Sequence, residues 1–546
     1  MKQLQLVLFF LTVTSLTFAQ DTSFDLKSTE LYKDKVRERN YGFESIGKTD
    51  KHFYYMHLPF KYAFGYNSVG SNEVPNIIML DNDLNLIKKQ ALDLETENKE
   101  RDYQGAVFFE DKTYILSSFQ NTDHKKHYLF VHSMKNSTLE TNNDLKKIGE
   151  IDYSGINKYF RTYFHLELSE DKSKVLIYYN IINKKNVNLK YGMYVFDNSF
   201  KLLWKHENVV PLMLNEGRFL YKQFKVDNIG NVYIRGLYHD GKTEENLYLP
   251  FSGKIRGDKL TYFSKYPFLK QMIIYFSNSG KKQKEVIINI PNKSIQNMTF
   301  IPVGNDNILC AGSYSEKKLI SAKGLFSFKY NIKTKQYRKI YSKELKRKLE
   351  DTGLEEKFFE KFQKKANNPS EWDPFGYVCS DFIKNDKGEY ICVAEQFLEG
   401  VRVQRSGNVI NQYPLYIQND LFQFTVTASG LIKKINQIKK RQYYKTIDIF
   451  SSYYAGLSGN KHFFLFAEMI RNETFSKISE YGNLYLVEVD EQGNQKKHVI
   501  SKPDDYDKKM YFHPSSGIIL SDKEIVFAVS TAVFFKYYAF RKLLIK

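Results

Sequence analysis

Short runs of apolar residues recur along the chain, each behind a polar turn. They occupy 52–56, 113–116, 175–179, 232–234, 308–311, 390–394, 462–467 and 525–529. The runs are rich in Val, Ile, Leu, Phe and Tyr, residues that suit an extended, buried backbone. The turns before them are built from Asp, Asn, Gly, Ser and Lys, as in Asp227-Asn228-Ile229-Gly230 ahead of Val232-Tyr233-Ile234. Asn and Gly tolerate the left-handed backbone that a tight turn needs. Each site therefore predicts a strand, a tight turn and a second strand.

A second hairpin follows most copies. Leu80-Asp81-Asn82-Asp83-Leu84-Asn85-Leu86-Ile87 matches Phe196-Asp197-Asn198-Ser199-Phe200-Lys201-Leu202-Leu203 position by position. Looser versions lie at 276–280, 330–334, 426–430 and 489–493, with a longer one at 133–143. The repeating unit is thus two hairpins in series, giving four strands, A to D. Repeated antiparallel four-stranded units predict an all-β fold, a β-propeller. The spacing runs from the high fifties to the low eighties. That exceeds the ~40–50 residues of a minimal blade, so loops must be inserted. Eight apolar runs give eight blades, or seven if one end pairs outside the ring. The last unit has no room for a D strand. Since a ring must close to remove its edges, residues 24–32 are expected to supply it.

The pieces Phe196-Asp197-Asn198-Ser199-Phe200-Lys201-Leu202-Leu203-Trp204 and Asp227-Asn228-Ile229-Gly230-Asn231-Val232-Tyr233-Ile234 carry a resemblance. The chain resembles uncharacterised secreted β-propeller proteins of Gram-negative bacteria over most of its mature length. That resemblance implies a fold and no activity.

Residues 1–19 read as a secretory signal peptide: Lys2, an apolar core from Leu6 to Leu11, and Thr17-Phe18-Ala19 before Gln20. The apolar run is shorter than the ~20 residues of a membrane span, and no later segment is long and apolar enough to cross a membrane. The remainder, 20–546, is expected to be one exported propeller domain, periplasmic or at the cell surface, and a monomer. A helical insertion is expected at 343–370. Within it, Leu345, Leu349, Phe358, Phe359 and Phe362 recur at near-helical spacing over 343–365, and Thr352-x-x-Glu355 forms a capping box. The net charge of +19 falls largely on paired lysines after the second turn of each unit, such as Lys88 and Lys89 or Lys433 and Lys434. That is the D strand, where lysines block edge-to-edge pairing. A charge spread round a rim argues against a nucleic-acid partner.

Three cysteines, Cys310, Cys379 and Cys392, are too few for a disulfide scaffold. Cys379 and Cys392 flank the turn at Asn385-Asp386 symmetrically, so they are either bridged or two small buried apolar groups. His124 and His127 sit in a Lys-rich stretch that reads as a solvated turn. Asp81-Asn82-Asp83 lacks the Gly and downstream Glu of a calcium loop. No metal site and no cofactor are expected.

No HExxH, GxSxG or phosphate-cradling Gly-rich loop is present. The A strands of a propeller line its channel. In blade 3, Arg161, Tyr163, His165 and Glu167 alternate with Thr162, Phe164, Leu166 and Leu168, which puts four polar groups on one face. Glu167, Asp381 and His165 are the candidates for acid–base chemistry, with Glu167 and Asp381 the carboxylate pair. Trp372 and Asp373, in a Pro-bounded loop, are candidate binding residues beside Arg161 and Tyr163. The reading is a non-enzymatic binding or scaffold propeller for a protein or an envelope glycan. The alternative is a polysaccharide hydrolase or lyase using channel carboxylates. Short A–B turns set one face. The long B–C and D–A connections (60–75, 239–270, 344–373, 397–414, 471–482) set the other, the expected contact face.

Overall fold

In the computed structural model of the protein, each of the eight apolar runs is the second strand of an antiparallel sheet. The structure describes residues 24–33, 40–59, 74–96, 99–154, 164–182, 188–209, 218–239, 252–256, 259–262, 270–304, 306–316, 322–345, 376–406, 409–444, 452–470, 480–502, 510–531 and 537–546. The blades span 40–91, 102–152, 164–209, 218–288, 293–344, 376–438, 454–501 and 510–545.

Both faces of every B strand are covered, which is why these strands read as unbroken apolar runs rather than as alternating ones. In blade 1, Tyr54 and Met56 pack with blade 2, while Phe53 and Tyr55 pack with blade 8. In blade 4, Val232 and Ile234 face blade 3 and Tyr233 faces blade 5. In blade 8, Val526 and Ala528 face blade 1, and Ile525, Phe527 and Val529 face blade 7. Eight apolar clusters fill eight joints between consecutive blades, including the joint from blade 8 back to blade 1. The blade count is therefore eight.

The ring closes as expected. Strand Phe24–Ser28 pairs antiparallel with the last strand, Tyr537–Ile545, from Phe24 opposite Ile545 to Ser28 opposite Arg541. It is the missing D strand of blade 8, and Tyr32–Lys33 adds two more residues along the same partner. Phe24 and Leu26 pack onto the joint between blades 7 and 8.

Carboxylates set the tight turns. Asp227 Oδ1 accepts the backbone N–H groups of Ile229 (3.1 Å) and Asn231 (2.9 Å), and its Oδ2 accepts the Asn231 amide (2.7 Å). Asp81 and Asp490 hold Asn85 and Asn494 in the same way. These contacts hold the Asp81 carboxyl below the ordinary range, against the opposing effect of burial. Asp81-Asn82-Asp83 is thus a turn, as read. Gly230 takes the left-handed backbone at φ 91°, and its carbonyl accepts the Trp204 indole N–H from blade 3 at 3.0 Å. At the equivalent positions Leu84 (φ 69°) and Phe200 (φ 58°) adopt the same backbone with side chains buried in a joint. The backbone cost of roughly 1–2 kcal/mol is offset by the ~1.5–3 kcal/mol gained on burying such a side chain.

Three expectations are corrected. The helical insertion near 343–365 is not borne out: Lys343 and Glu344 end the D strand of blade 5, Gln336–Glu344, Leu345 packs into the joint with blade 6, and 346–365 lies outside the described residues, as does the leader at 1–19. Among the described residues the one helical element is a single 3-10 turn, Pro514–Ser516. His127 is not in a solvated turn. It is a buried residue of strand Lys126–Lys135, and its Nε2 sits 2.9 Å from Ser118 Oγ. The expected loop at 397–414 is β-structure, because the B and C strands of blade 6, Tyr390–Ser406 and Val409–Val426, run on as a long two-stranded arm. The blade 4 insertion contributes the hairpin Ser252–Arg256 and Lys259–Tyr262, which joins this arm in parallel, with Ser252 opposite Glu399 and Arg256 opposite Val403. That hairpin adds no blade. It ties blade 4 to blade 6 across blade 5. No helix among the described residues is long and apolar enough to cross a membrane.

The two architectural features carry tests. Deleting 24–28 should lower the melting temperature and expose the edge of Tyr537–Ile545, giving dimers or aggregates by light scattering. An unchanged monomer would show that closure is dispensable. Burial pushes His127 and His132 down to about 4 and His513 to about 3. Their folded pKa values lie below the unfolded value, so their contribution is complete above about pH 6.5 and is lost as pH falls toward 4. Unfolding in urea should therefore need less denaturant at each step down from pH 7 to pH 5, by up to ~1.4 kcal/mol per His per pH unit. His513→Gln should flatten that slope.

Candidate functional site

The A strands of blades 3, 4, 5 and 6 bring their polar residues together at the channel. In blade 3, Phe164–Leu168 keeps its alternation: Phe164 is buried and Leu166 and Leu168 pack into the joint with blade 2, while His165 and Glu167 lie on the side of blade 4. In blade 4, Arg218–Val226 buries Phe224 and Val226 in the joint with blade 3, which leaves Gln223 and Lys225 on the opposite side. In blade 6 the A strand is interrupted. Cys379 pairs opposite Ala394, and Ile383 opposite Ile391. Three residues, Ser380, Asp381 and Phe382, thus face two on the partner, a bulge of the kind that re-aims a side chain.

The bulge brings Asp381 to blade 4. Lys225 Nζ bonds Asp381 Oδ2 at 2.7 Å and also pairs with Glu167. Gln223 Nε2 donates to Asp381 Oδ1 at 2.6 Å and to Thr299 Oγ1 of blade 5 at 3.1 Å. Behind them, Arg235 Nε donates to Gln223 Oε1 (3.3 Å) and its Nη1 to Gln271 Oε1 (3.1 Å). Burial pulls the Arg235 guanidinium down to about 10, still charged at neutral pH.

Burial raises the Glu167 carboxyl, partly countered by Lys225 and reinforced by the neighbouring Asp381 charge. Burial opposes the charge on Lys225, but the two carboxylates outweigh it and the ammonium is held above its ordinary range. One ammonium between two carboxylates is thus the electrostatic centre of the site. His165 stacks on Tyr178 (centroids 5.0 Å apart), which stacks on Phe224 (3.9 Å), and desolvation by this wall lowers the imidazole pKa.

A cavity of about 950 Å³ opens from this cluster toward the tight A–B turns, not toward the long connections. Its rim holds two further ion pairs, Lys384–Glu170 at 2.5 Å and Lys333–Asp306 at 2.7 Å. The first joins blade 6 to blade 3 across the mouth. Ile229, at the tip of the Asp227 turn and 64% exposed, stands on the rim with Phe382 alongside, while Tyr390 is buried beneath Lys384.

The sequence candidates divide accordingly. Glu167 and Asp381 are brought onto one ammonium, and His165 lies on the same strand as Glu167. Arg161, Tyr163, Trp372 and Asp373 lie outside the described residues. Lys225, Gln223, Thr299 and Arg235 were missed, although Gln223 and Lys225 alternate with Phe224 and Val226 just as His165 and Glu167 alternate with their neighbours. Among the described residues, no group of three or more His, Cys, Asp or Glu side chains is gathered to hold a metal ion.

Lys225→Met should leave Glu167 facing Asp381 without a countercharge. The Glu167 carboxyl pKa, followed by NMR, should move further upward. Stability at pH 7 should fall by roughly 1–3 kcal/mol, less than for a fully enclosed pair because Asp381 is open to solvent. Part of that loss should disappear in acid, where Glu167 is protonated in both folded and unfolded chains. An unmoved Glu167 titration would mean the three groups are not coupled.

No protein-family model matches the chain, and no curated protein matches it in sequence. Among solved structures it is similar to a Dos1 propeller, at 9% identity and a TM-score of 0.40, over 94% of each chain. It is similar to the polysaccharide lyase Uly1 at 8% identity and a TM-score of 0.36, over 95% of this chain and 100% of that one. It is similar to the β-propeller domain of the Trilobed protease from Pyrococcus furiosus at 12% identity and a TM-score of 0.33, over 85% and 98%. The propeller part of the sequence resemblance is met by the four-stranded blades of this chain itself.

Proposed function

We propose that the chain is an exported, non-enzymatic binding propeller of the periplasm or cell surface. It takes a neutral, polyhydroxylated, glycan-type ligand at the mouth of the channel among the tight turns. One observation carries this reading. The three lysines of the cavity, Lys225, Lys333 and Lys384, are each matched to a carboxylate. The lining sets five carboxylates (Glu167, Glu170, Asp227, Asp306 and Asp381) against these three lysines, so the wall presents hydrogen-bond donors and acceptors with a small negative excess, beside the ring of Phe382. Such a surface suits hydroxyl groups and sugar faces better than a polyanion. Most of the long connections on the opposite face lie outside the described residues.

A second reading, a polysaccharide hydrolase or lyase, is favoured by the raised Glu167 carboxyl, the property of a general acid. Two carboxylate oxygens bonded to one nitrogen lie within about 6 Å of each other. That is close to the ~5–5.5 Å separation of retaining hydrolases and short of the ~6.5–9.5 Å of inverting ones. Against it, the Lys225 ammonium fills the space between the carboxylates, where the scissile bond would have to sit.

The test is a panel of neutral and acidic oligosaccharides, scored for both binding and cleavage. Saturable binding of a neutral member without new chain ends is expected, weakened about tenfold (~1.4 kcal/mol) by Lys384→Ala. Cleavage by the wild type that Glu167→Gln abolishes would establish the enzyme instead. Binding confined to acidic members would overturn the ligand class.

A further inference from the structure

The bulge that delivers Asp381 is flanked by two of the three cysteines. Cys379 ends strand Gly376–Cys379 just before it, and Cys392 lies on the partner strand facing it. Around the bulge, Ser380 N–H donates to the Val393 carbonyl at 2.8 Å and Val393 N–H donates to Ser380 Oγ at 3.1 Å. The Cys392 thiol lies 3.6 Å from the Ser380 carbonyl. Both cysteines pack into the same joint between blades 5 and 6, Cys392 fully buried and Cys379 partly open. Cys392 lies two residues from Ala394, the partner of Cys379, so the two side chains share one face of the sheet as a diagonal pair. Both are free thiols. Cys310 is buried on the neighbouring blade and is not part of the bulge.

We propose that Cys379 and Cys392 are a dithiol–disulfide switch whose closure pins the bulge carrying Asp381. The oxidant is a small disulfide of the glutathione class. The accessible Cys379 thiolate attacks one of its sulfurs, forming a mixed disulfide and releasing one glutathione thiolate. The Cys392 thiolate then attacks the Cys379 sulfur, closing the protein disulfide and releasing the second. Two electrons pass from the protein dithiol to the glutathione disulfide, and the two protein thiol protons end on the released glutathione. With the start of the bulge tied to the partner strand, Asp381 is fixed against Gln223 and Lys225. Reduced, the segment can relax and take Asp381 with it. This step is independent of the ligand reading, because its readouts need no ligand.

The full chain is equilibrated in mixtures of reduced and oxidised glutathione, acid-quenched, alkylated and peptide-mapped by mass. Oxidation should join the Cys379 and Cys392 peptides, with the loss of two hydrogens, and leave Cys310 alkylatable only after unfolding. Cys392→Ala should stop at the Cys379–glutathione adduct, and Cys379→Ser should leave Cys392 unmodified. Amide exchange over 380–382 should slow roughly tenfold in the oxidised form as local opening is suppressed. Both thiols remaining alkylatable across all mixtures, or the adduct persisting in wild type, would overturn the pair. A bridge that forms without changing exchange at 380–382 would overturn the pinning of Asp381.

Discussion

No blade of this ring can bury its own core. Each B strand has two apolar faces, and each needs a neighbour on both sides. Tyr54 is covered by blade 2 and Tyr55 by blade 8, so neither blade alone would keep these rings from water. The requirement passes from joint to joint until it returns to its start, and it is met only when Phe24–Ser28 completes blade 8. Burial of a Tyr, Phe or Ile at each step, at about 1.5–3 kcal/mol per large side chain, gives every joint an interest in its neighbours' integrity. Stability in such a closed repeat is a property of the circle more than of any blade.

Much of this was legible in the sequence. Unbroken apolar runs such as Phe463-Phe464-Leu465-Phe466 admit few readings besides a strand covered on both faces. Aspartates four residues before an Asn, as at Asp81 and Asp227, specify the turn by satisfying its backbone donors. The absence of room for a final D strand pointed to the N-terminal residues. The blade 6 arm was not legible, since it lies where a loop is expected and its partner, Ser252–Arg256, comes from a distant part of the chain. The apolar spacing that suggested a helix begins only at Leu345, and the two residues before it, Lys343 and Glu344, are taken into the edge strand of blade 5.

The site shows the same division. Glu167 and Asp381 follow from strand alternation and from the rule that A strands face the channel. Which A strands approach one another is a tertiary matter. Asp381 reaches Lys225 only because three residues face two on its partner strand, and nothing local in Ser380-Asp381-Phe382 announces a bulge. Lys225 was overlooked for a related reason. A lysine two residues before a polar turn reads as solvated, whereas here it lies between two carboxylates and is only 12% exposed.

The closing strand also bears on how the molecule is made. Its pairing joins residue 24 to residue 545, a separation nearly as long as the described chain. Contacts between residues so far apart are the slowest to form, since the intervening chain must first be drawn together. During synthesis the strand that seals the circle emerges before the other seven blades and its partner after them. Seven blades can therefore be in place while Phe24–Ser28 is still without its partner and the Tyr537–Ile545 edge does not yet exist. A factor that shields the early strand, or a delay in delivering the final one, would govern how many chains close on themselves rather than on a neighbour.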